Sequence, residues 1–322
     1  MEKPFILAPM AELSHRALRE LIDEFGGCDC YFTEMISAGA LVGGGPFEDW
    51  YVDNGPCPEK LVYQITGADI EQIVKAAALL DSRDCAGIDI NMGCCAPLIR
   101  KTGAGIAWMS SIERAGELVE RTRRVVKRRL SVKLRLGLSE DFDYLVRFCR
   151  CLEERGVDFI TLHPRTASEK FKRSARWDYV GRLRRELGVP VAGNGDIAGA
   201  AELLRRASGS CDAVMVGRAA VRCPWIFAEA RNLRAEIAGD AAGRGSFSVN
   251  VEETGLRFLE LLTLWQPSEF HISRARRFFA FFCDNLKWGT YLKNLLNREE
   301  SLAGVERVWR GYFAEYGAEN NE

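Results

Sequence analysis

The sequence predicts an α/β fold, a (β/α)8 TIM barrel followed by a small all-helical C-terminal domain. Eight short apolar runs alternate with amphipathic segments over about the first 235 residues, which is the pattern and the length of a parallel barrel. Residues 251–322 then show helical spacing of apolar residues and no strand pattern. These two observations together predict a barrel with a helical extension.

The predicted strands are short and continuously apolar, as expected for strands buried on both faces. They are Phe5–Ala8, Tyr31–Thr33, Leu61–Ile65, Ala86–Ile90, Ser131–Leu134, Phe159–Leu162, Val189–Ala192 and Ala213–Val216. The predicted helices between them carry charged outer faces and include Ser14–Phe25, Asp69–Leu80, Ile112–Arg128, Asp141–Arg155, Tyr179–Leu187 and Gly199–Ala207. A doubly wound sheet is the structural alternative, but no G-x-G-x-x-G turn follows the first strand.

The domain organisation follows from a change in composition after the barrel. Residues 236–250 are small and polar, EIAGDAAGRGSFSVN, as a linker should be. We therefore predict a barrel domain over residues 1–238, a linker over 239–250 and a helical domain over 251–322. The predicted helices of the last domain are Val251–Trp265, His271–Trp288, Tyr291–Leu296 and Ser301–Tyr316.

The composition and net charge of the chain indicate which classes of protein it can belong to. The chain has 322 residues, of which 47% are hydrophobic, and a formal net charge of -1. That charge argues against attraction of the whole molecule to nucleic acid, although Lys and Arg cluster at 121–129, 170–176 and 274–277.

The chain shows neither a secretory signal nor an apolar run of membrane-spanning length, so we expect a cytoplasmic protein with no membrane contact. The 11 cysteines lack the paired spacing of zinc ligands, so no metal is expected, and we expect a monomer.

Polar residues stand at the ends of most predicted strands, where barrel enzymes carry their active sites. They are Gln64, Asn91 with Cys94 just beyond, Lys133 and Arg135, His163 and Arg165, Asn194-Gly195-Asp196, and Gly217-Arg218, while the first strand ends on Ala8-Pro9-Met10. The glycine turns after the seventh and eighth strands favour a phosphate site. Two amides and a lysine suit the polar edge of an isoalloxazine ring, which becomes negative on reduction. The sequence thus indicates a phosphate-bearing cofactor or a phosphorylated substrate, and a flavin would suit the polar residues.

A series of short motifs runs along the predicted barrel: APM at 8–10, FTEM at 32–35, QITG at 64–67, IDINMGC at 88–94, GAG at 103–105, VKLRLG at 132–137, LHPRT at 162–166, GNGDI at 193–197 and MVGRAAVRCPWIF at 215–227. In sequence and in order, these motifs resemble those of the dihydrouridine synthases, flavin enzymes that reduce uridine in transfer RNA. The motifs cover nearly the whole predicted barrel, and the helical tail stands where the family has its tRNA-binding domain.

The resemblance implies a reaction and a set of roles. FMN, reduced by NADPH or NADH, would pass a hydride from N5 to C6 of a uracil, and a cysteine would protonate C5. Cys94 would be that proton donor. FMN would be bound by Ala8, Pro9, Met10, Gln64, Lys133, His163, Asn194, Gly195, Asp196, Gly217 and Arg218, and the uracil by Asn91, Arg135 and Phe171.

Other interpretations stay open for several of these residues. Cys94 could be a small buried residue, His163 a core histidine, and Asn91 and Gln64 could only satisfy strand-end backbone groups. Glu34 and Asp89 are expected to be internal partners within the barrel rather than catalysts. The run RRFFAFFCDNLKW is expected to be a packed helix whose arginines, Arg276 and Arg277, contact phosphate.

Two departures from the family pattern bear on the site. The family usually has proline where this chain has Cys95, which leaves a second thiol beside Cys94 that could compete as proton donor. Phe171 stands where relatives often carry tyrosine. Two competing functions are an FMN barrel oxidoreductase for a small molecule, such as an ene reductase or a dihydroorotate dehydrogenase, and a tRNA-binding protein without catalysis.

Overall fold

The computed structural model describes residues 2–169, 172–239 and 248–317. Eight strands pair in parallel in the order β1-β8-β7-β6-β5-β4-β3-β2, and a bridge between Ile6 and Cys30 brings the first strand to the second. The strands are β1 Phe5–Leu7, β2 Tyr31–Ser37, β3 Leu61–Thr66, β4 Gly87–Met92, β5 Arg129–Gly137, β6 Phe159–Thr166, β7 Val191–Asn194 and β8 Ala213–Val216. The predicted TIM barrel is confirmed.

Helices cover the outside of the barrel and form the tail. Those of the barrel region are α1 Arg16–Glu24, α2 Ala38–Gly43, α3 Glu48–Tyr51, α4 Ile70–Asp81, α5 Pro97–Lys101, α6 Ile112–Val125, α7 Phe142–Glu154, α8 Asp178–Glu186, α9 Ala200–Ala207, α10 Arg218–Arg222 and α11 Ile226–Ile237. Those of the tail are α12 Val251–Trp265, α13 Ser268–Phe282, α14 Gly289–Leu296 and α15 Leu302–Tyr316. Short 3-10 helices span Pro58–Lys60, Gly105–Ser110 and Cys283–Asn285.

The predicted helix His271–Trp288 is wrong at both ends. The α13 helix begins at Ser268, after Pro267, and ends at Phe282. It stops there because the Asn285 carboxamide donates hydrogen bonds to the carbonyls of Phe282 and Arg222, at 3.0 and 2.6 Å. These bonds end the helix and attach the turn to the barrel. The barrel and tail helices are thus observed, while the domain boundaries stay a prediction and residues 240–247 of the predicted linker lie outside the described residues.

Two apolar clusters form the core. The smaller one fills the inside of the barrel with residues at alternate strand positions, namely Ile6, Ala8, Cys30, Phe32, Val62, Phe159, Ala192, Ala213 and Met215. The larger one lies between the strands and the helices and continues into the tail, where it includes Phe258, Phe278, Phe279, Phe282 and Trp309. The predicted packing of the aromatic run in the tail is confirmed.

The tail is docked on the barrel by buried polar and aromatic contacts. Glu34 of β2 pairs with Arg274 of α13 at 3.0 Å, and both side chains are less than 5% exposed. The Arg274 guanidinium also lies over the Phe270 ring, 4.7 Å from its centroid. Nearby, Arg277 pairs with Glu12 at 3.0 Å. The prediction that Glu34 has an internal partner is confirmed, but the partner comes from the tail.

The arginines of α13 therefore face the protein more than the sequence suggested. Arg276 donates a hydrogen bond to the Glu299 carbonyl at 2.8 Å, and Arg277 is engaged with Glu12. Arg274 is 2% exposed. Arg274 and Arg276 serve contacts within the chain, whereas Arg277 pairs with Glu12 and stays about half exposed, so its contact with phosphate stays a prediction.

Among residues 2–169, 172–239 and 248–317, no helix has both the length and the apolar character needed to cross a bilayer.

Candidate active site

A cavity of about 440 Å3 opens at the carboxyl ends of the strands, which is within the roughly 300–1,000 Å3 of small-molecule sites. The predicted site residues on its wall are Ala8, Pro9, Met10, Asn91, Cys94, Lys133, Arg135, His163, Asn194, Gly195, Asp196, Gly217 and Arg218. Gln64 is not on the wall, and Phe171 lies outside the described residues. The strand ends therefore bring nearly all of the predicted residues to one place.

Residues outside the predicted FMN and uracil sets also line the cavity. They are Met35, Gly93, Cys95, Ala96, Pro97, Arg165, Ile197 and Ala219. The sequence marked Arg165 as a strand-end residue and Cys95 as a second thiol without giving either a binding role, and Arg165 follows His163 by two positions on β6, so it points to the same side. Met35 belongs to the FTEM motif at 32–35, and the other residues adjoin assigned ones in the chain.

The loop that carries Cys94 is held by Asn91. The Asn91 side-chain oxygen accepts hydrogen bonds from the backbone N–H groups of Gly93 and Cys94, at 3.2 and 2.9 Å. The Cys94 carbonyl in turn accepts a bond from the Ile106 N–H at 2.9 Å. Gly105 has φ +60°, and a Cβ there would lie 2.5 Å from the Cys94 carbonyl oxygen. The glycine of the GAG motif is thus needed for the close approach that positions Cys94.

The Cys94 thiol is held in its protonated form. Burial raises its pKa, as does the neighbouring Cys95, and the Ala96 N–H together with the charges of Arg135 and Lys133 offsets this only in part. A thiol with a raised pKa carries its proton at neutral pH and can act as an acid. Cys94 and Cys95 both line the cavity and are both free thiols.

A hydrogen-bonded chain lies beneath the cavity floor. The Asn91 amide donates to Gln64 at 2.8 Å, the Gln64 amide donates to Asp89 at 2.7 Å, and the Ser131 hydroxyl donates to Asp89 at 2.6 Å. Burial raises the pKa of Asp89 to about 6, against the hydrogen bonds from Ser131 and Gln64. Asp89 is thus an internal partner, as predicted.

The Gln64 side chain lies off the cavity wall. It is fully buried and is joined on one side to Asn91 and on the other to Asp89. Both polar ends of its amide thus have protein partners, and its predicted contact with a flavin edge stays a prediction. Gln64 orients Asn91, and through it the loop that bears Cys94.

Lys133 projects into the cavity from β5. Burial and, to a smaller extent, the neighbouring Arg135 charge lower its pKa to about 8, while Asp89 and Cys94 oppose the shift. In the part of the chain that the structure describes, no hydrogen bond or ion pair engages its ammonium group. A buried amine in this state gains free energy when an anionic group binds beside it.

His163, on the neighbouring strand β6 and paired in register with Arg135, is a neutral hydrogen-bond acceptor. Its Nε2 lies 2.9 Å from an N–H of Arg165, and because arginine can only donate, Nε2 carries no proton. Burial lowers the pKa of His163 far below its ordinary value, and the charges of Lys133 and Arg135 lower it further. His163 therefore stays uncharged and is not a proton donor at neutral pH.

Asp196 positions Arg165. Its carboxylate pairs with that guanidinium through both oxygens, at 2.6 and 2.8 Å, and accepts a bond from the Ala175 N–H at 2.6 Å. These contacts hold its pKa below the ordinary value although burial raises it. The preceding Gly195 has φ +117°, and a Cβ there would lie 2.9 Å from the His163 ring. The turn after β7 thus requires glycine to bring the backbone against His163.

The cavity as a whole is positively charged. Its wall carries the cations Lys133, Arg135, Arg165 and Arg218 and one carboxylate, Asp196. At a barrel mouth, this excess of positive charge and the turns after β7 and β8 suit an anionic, phosphate-bearing ligand. Among the described residues, no cluster of His, Cys, Asp and Glu could hold a metal ion.

The family model described as "Dihydrouridine synthase (Dus)" matches residues 6–261, which is most of the chain. The chain belongs to the dihydrouridine synthase family. A curated relative, the "Probable tRNA-dihydrouridine synthase" of Aquifex aeolicus, is 34% identical over 71% of this chain and 73% of its own length. The "tRNA-dihydrouridine(16) synthase" of Cupriavidus necator is 30% identical over 70% of this chain and 73% of its length.

A third relative includes the tail of this dihydrouridine synthase in its match. The "tRNA-dihydrouridine synthase B" of Xanthomonas axonopodis pv. citri is 28% identical over 96% of this chain and 92% of its own length. Similarity to the family is thus not confined to the barrel.

Proposed function

We propose that this chain reduces the C5=C6 bond of specific uridines in tRNA to give 5,6-dihydrouridine, with FMN as cofactor and NADPH or NADH as reductant. One observation carries the proposal, namely that a protonated thiol, Cys94, lies in the wall of a positively charged cavity at the strand ends of a dihydrouridine synthase. The names of the relatives supply the substrate class.

The cavity residues fit FMN in charge and in the type of donor. Ala8, Pro9 and Met10 offer an apolar surface for one face of the ring, and Lys133 offers a cation for its polar edge, with His163 close by. The phosphate end would be bound by Asn194, Gly195, Asp196, Gly217 and Arg218, with Asp196 acting through Arg165. When bound, FMN supplies the hydride that is added at C6 of the uracil.

The remaining steps belong to the protein's own residues. Cys94 Sγ–H gives its proton to C5 of the uracil, so that one hydride and one proton add across the double bond. Arg135 is fixed by bonds from its Nε to the Gly93 carbonyl at 3.1 Å and from Nη1 to the Thr166 carbonyl at 3.3 Å. It is therefore placed beside the Cys94 loop, where, with Asn91, it would orient the base. Phe171 would stack on the substrate.

The test is to map dihydrouridine by mass spectrometry in tRNA from cells that lack this gene and carry a plasmid copy. Wild type should restore dihydrouridine at one or a few D-loop positions. Cys94→Ala should not, and Cys95→Ala should. Full rescue by Cys94→Ala together with failure of Cys95→Ala would mean that the second thiol is the acid. No restoration by wild type would refute the activity, and a gel shift with unmodified tRNA would then separate a small-molecule oxidoreductase from a tRNA-binding protein.

A further inference from the structure

The α5 helix forms one rim of the cavity. Ala96 and Pro97, at its start, line the cavity wall directly after Cys94 and Cys95. The helix ends where the Ile99 carbonyl accepts bonds from the N–H groups of Thr102 and Ala104, at 3.3 Å each, and the chain then returns to the thiols through the bond from the Ile106 N–H to the Cys94 carbonyl, at 2.9 Å. The rim is therefore the segment between the thiols and this bond.

Leu98 projects from this rim into solvent. It is 81% exposed, more than any other large apolar side chain among the described residues. Exposing a leucine beside an active-site mouth forgoes the stabilisation that burial of such a side chain supplies. An apolar side chain in this place is suited to cover an apolar surface of the substrate rather than the core.

The charge around Leu98 is of one sign. Arg100 and Lys101 are exposed on the same short helix, and neither has an ion-pair partner in the parts of the chain described by the structure. The chain carries no acidic residue between Asp89 and Glu113. By contrast, Arg121 and Arg124 of α6, another exposed basic stretch, pair with glutamates. The rim thus combines one apolar projection with uncompensated cations, which fits a nucleic-acid strand.

We propose that Leu98 is a wedge that enters the RNA stack when the target uridine leaves it, while Arg100 and Lys101 contact the flanking phosphates. The inference rests on the proposed function, since it needs an RNA substrate. A base cannot reach the cavity floor while it is stacked, and flipping it out costs free energy, because stacking and pairing are lost. Apolar side chains inserted between bases offset such a cost in other nucleic-acid-binding proteins.

The spacing of these residues along α5 agrees with separate roles for Leu98 and the two cations. Leu98 and Lys101 are three residues apart and so share one face, whereas Pro97 and Arg100 share the next. Because Pro97 lines the cavity, Arg100 stands on the helix face toward the cavity mouth, whereas Lys101 stands on the face that carries Leu98. A strand that passes over Leu98 toward the cavity would therefore pass both cations.

The test compares Leu98→Ala with the control Leu79→Ala. Leu79 is 51% exposed near the end of α4, which in a barrel lies at the face opposite the active site. The prereduced proteins are mixed with unmodified full-length tRNA, and single-turnover formation of dihydrouridine is followed at the position that wild type modifies. Leu98→Ala should be slower by about 10- to 100-fold because flipping is no longer assisted. Leu79→Ala and Leu98→Met should stay within about twofold of wild type.

Two further measurements distinguish assistance of base flipping by Leu98 from an effect on flavin reduction or on tRNA binding. Reduction of the bound flavin by NADPH should be unchanged in Leu98→Ala, and an abasic nucleotide beside the target should restore most of its rate, because less stacking must be broken. Arg100→Ala with Lys101→Ala should weaken tRNA binding and reduce the slope of log affinity against log salt by roughly 1.4 to 1.8. A Leu98→Ala protein as fast as wild type on intact tRNA would overturn the wedge alone, whereas a wild type that forms no dihydrouridine would overturn the proposed function as well.

Discussion

The buried ion pair between barrel and tail allows a quantitative prediction. Arg274→Met keeps most of the side-chain volume but leaves Glu34, 3% exposed, without its counter-ion. Breaking a buried pair in this way costs about 3–5 kcal/mol. An unfolding entropy of about 2.1 cal/mol/K per residue gives about 0.7 kcal/mol/K for 322 residues, so the Tm should fall by about 4–7 °C.

The effect should depend on pH in a definite direction. Burial raises the pKa of Glu34, and Arg274 offsets part of that rise. Without Arg274 the pKa rises further, so the folded protein takes up a proton more readily than the unfolded chain, and the mutant is least stable when pH is high. The deficit in Tm relative to wild type should therefore shrink between pH 8 and pH 5, as Glu34 becomes neutral.

Scanning calorimetry at pH 8 and pH 5 measures how far the Tm of Arg274→Met lies below that of wild type. Two further variants serve as controls. Arg277→Met breaks the ion pair with Glu12, whose side chains are about half exposed, and should cost less than about 1 kcal/mol. Glu34→Gln combined with Arg274→Met should recover much of the stability, because no buried charge remains. Equal losses in Arg274→Met and Arg277→Met, or a deficit that does not change with pH, would refute the reasoning.

Three further predictions concern the cavity. Cys94→Ala should slow single-turnover dihydrouridine formation by about 10²- to 10⁴-fold and leave flavin reduction by NADPH intact; a similar loss in Cys95→Ala alone would contradict the assignment. The affinity of wild type for FMN, measured by fluorescence titration, should stay constant up to about pH 8 and fall above it, because Lys133 then loses its proton. The affinity of Lys133→Met should show no such fall. Gly105→Ala should lower both Tm and activity, because its Cβ would lie 2.5 Å from the Cys94 carbonyl oxygen, whereas Gly43→Ala, with no atom within 4 Å, should lower neither.

The sequence predicted the barrel and most of the cavity wall because both depend on local patterns. A period of two within a strand places Lys133 and Arg135 on one side, and a strand end followed by polar residues identifies the active face. Strands β2 to β6 are longer than predicted. In β5, which spans Arg129–Gly137, the reason is that polar residues at its end resemble a loop when seen in sequence alone.

What the sequence could not predict depends on distant contacts. The partner of Glu34 is 240 positions away on another part of the fold, and no local pattern marks it. The side-chain partners of Gln64 could not be predicted for a related reason. In sequence, a strand-end amide looks the same whether it faces a ligand or joins Asn91 to Asp89. Such assignments need the three-dimensional neighbours of each side chain.

The excess of positive charge in the cavity has a consequence beyond catalysis. Four cations held near one another repel, so an anionic ligand that binds among them stabilises the folded chain as well as completing the active site. With FMN as that ligand, as proposed above, cells short of riboflavin should hold less of this protein, because more of it unfolds and is degraded. Vitamin supply would then set how much tRNA is modified through protein abundance as well as through cofactor occupancy.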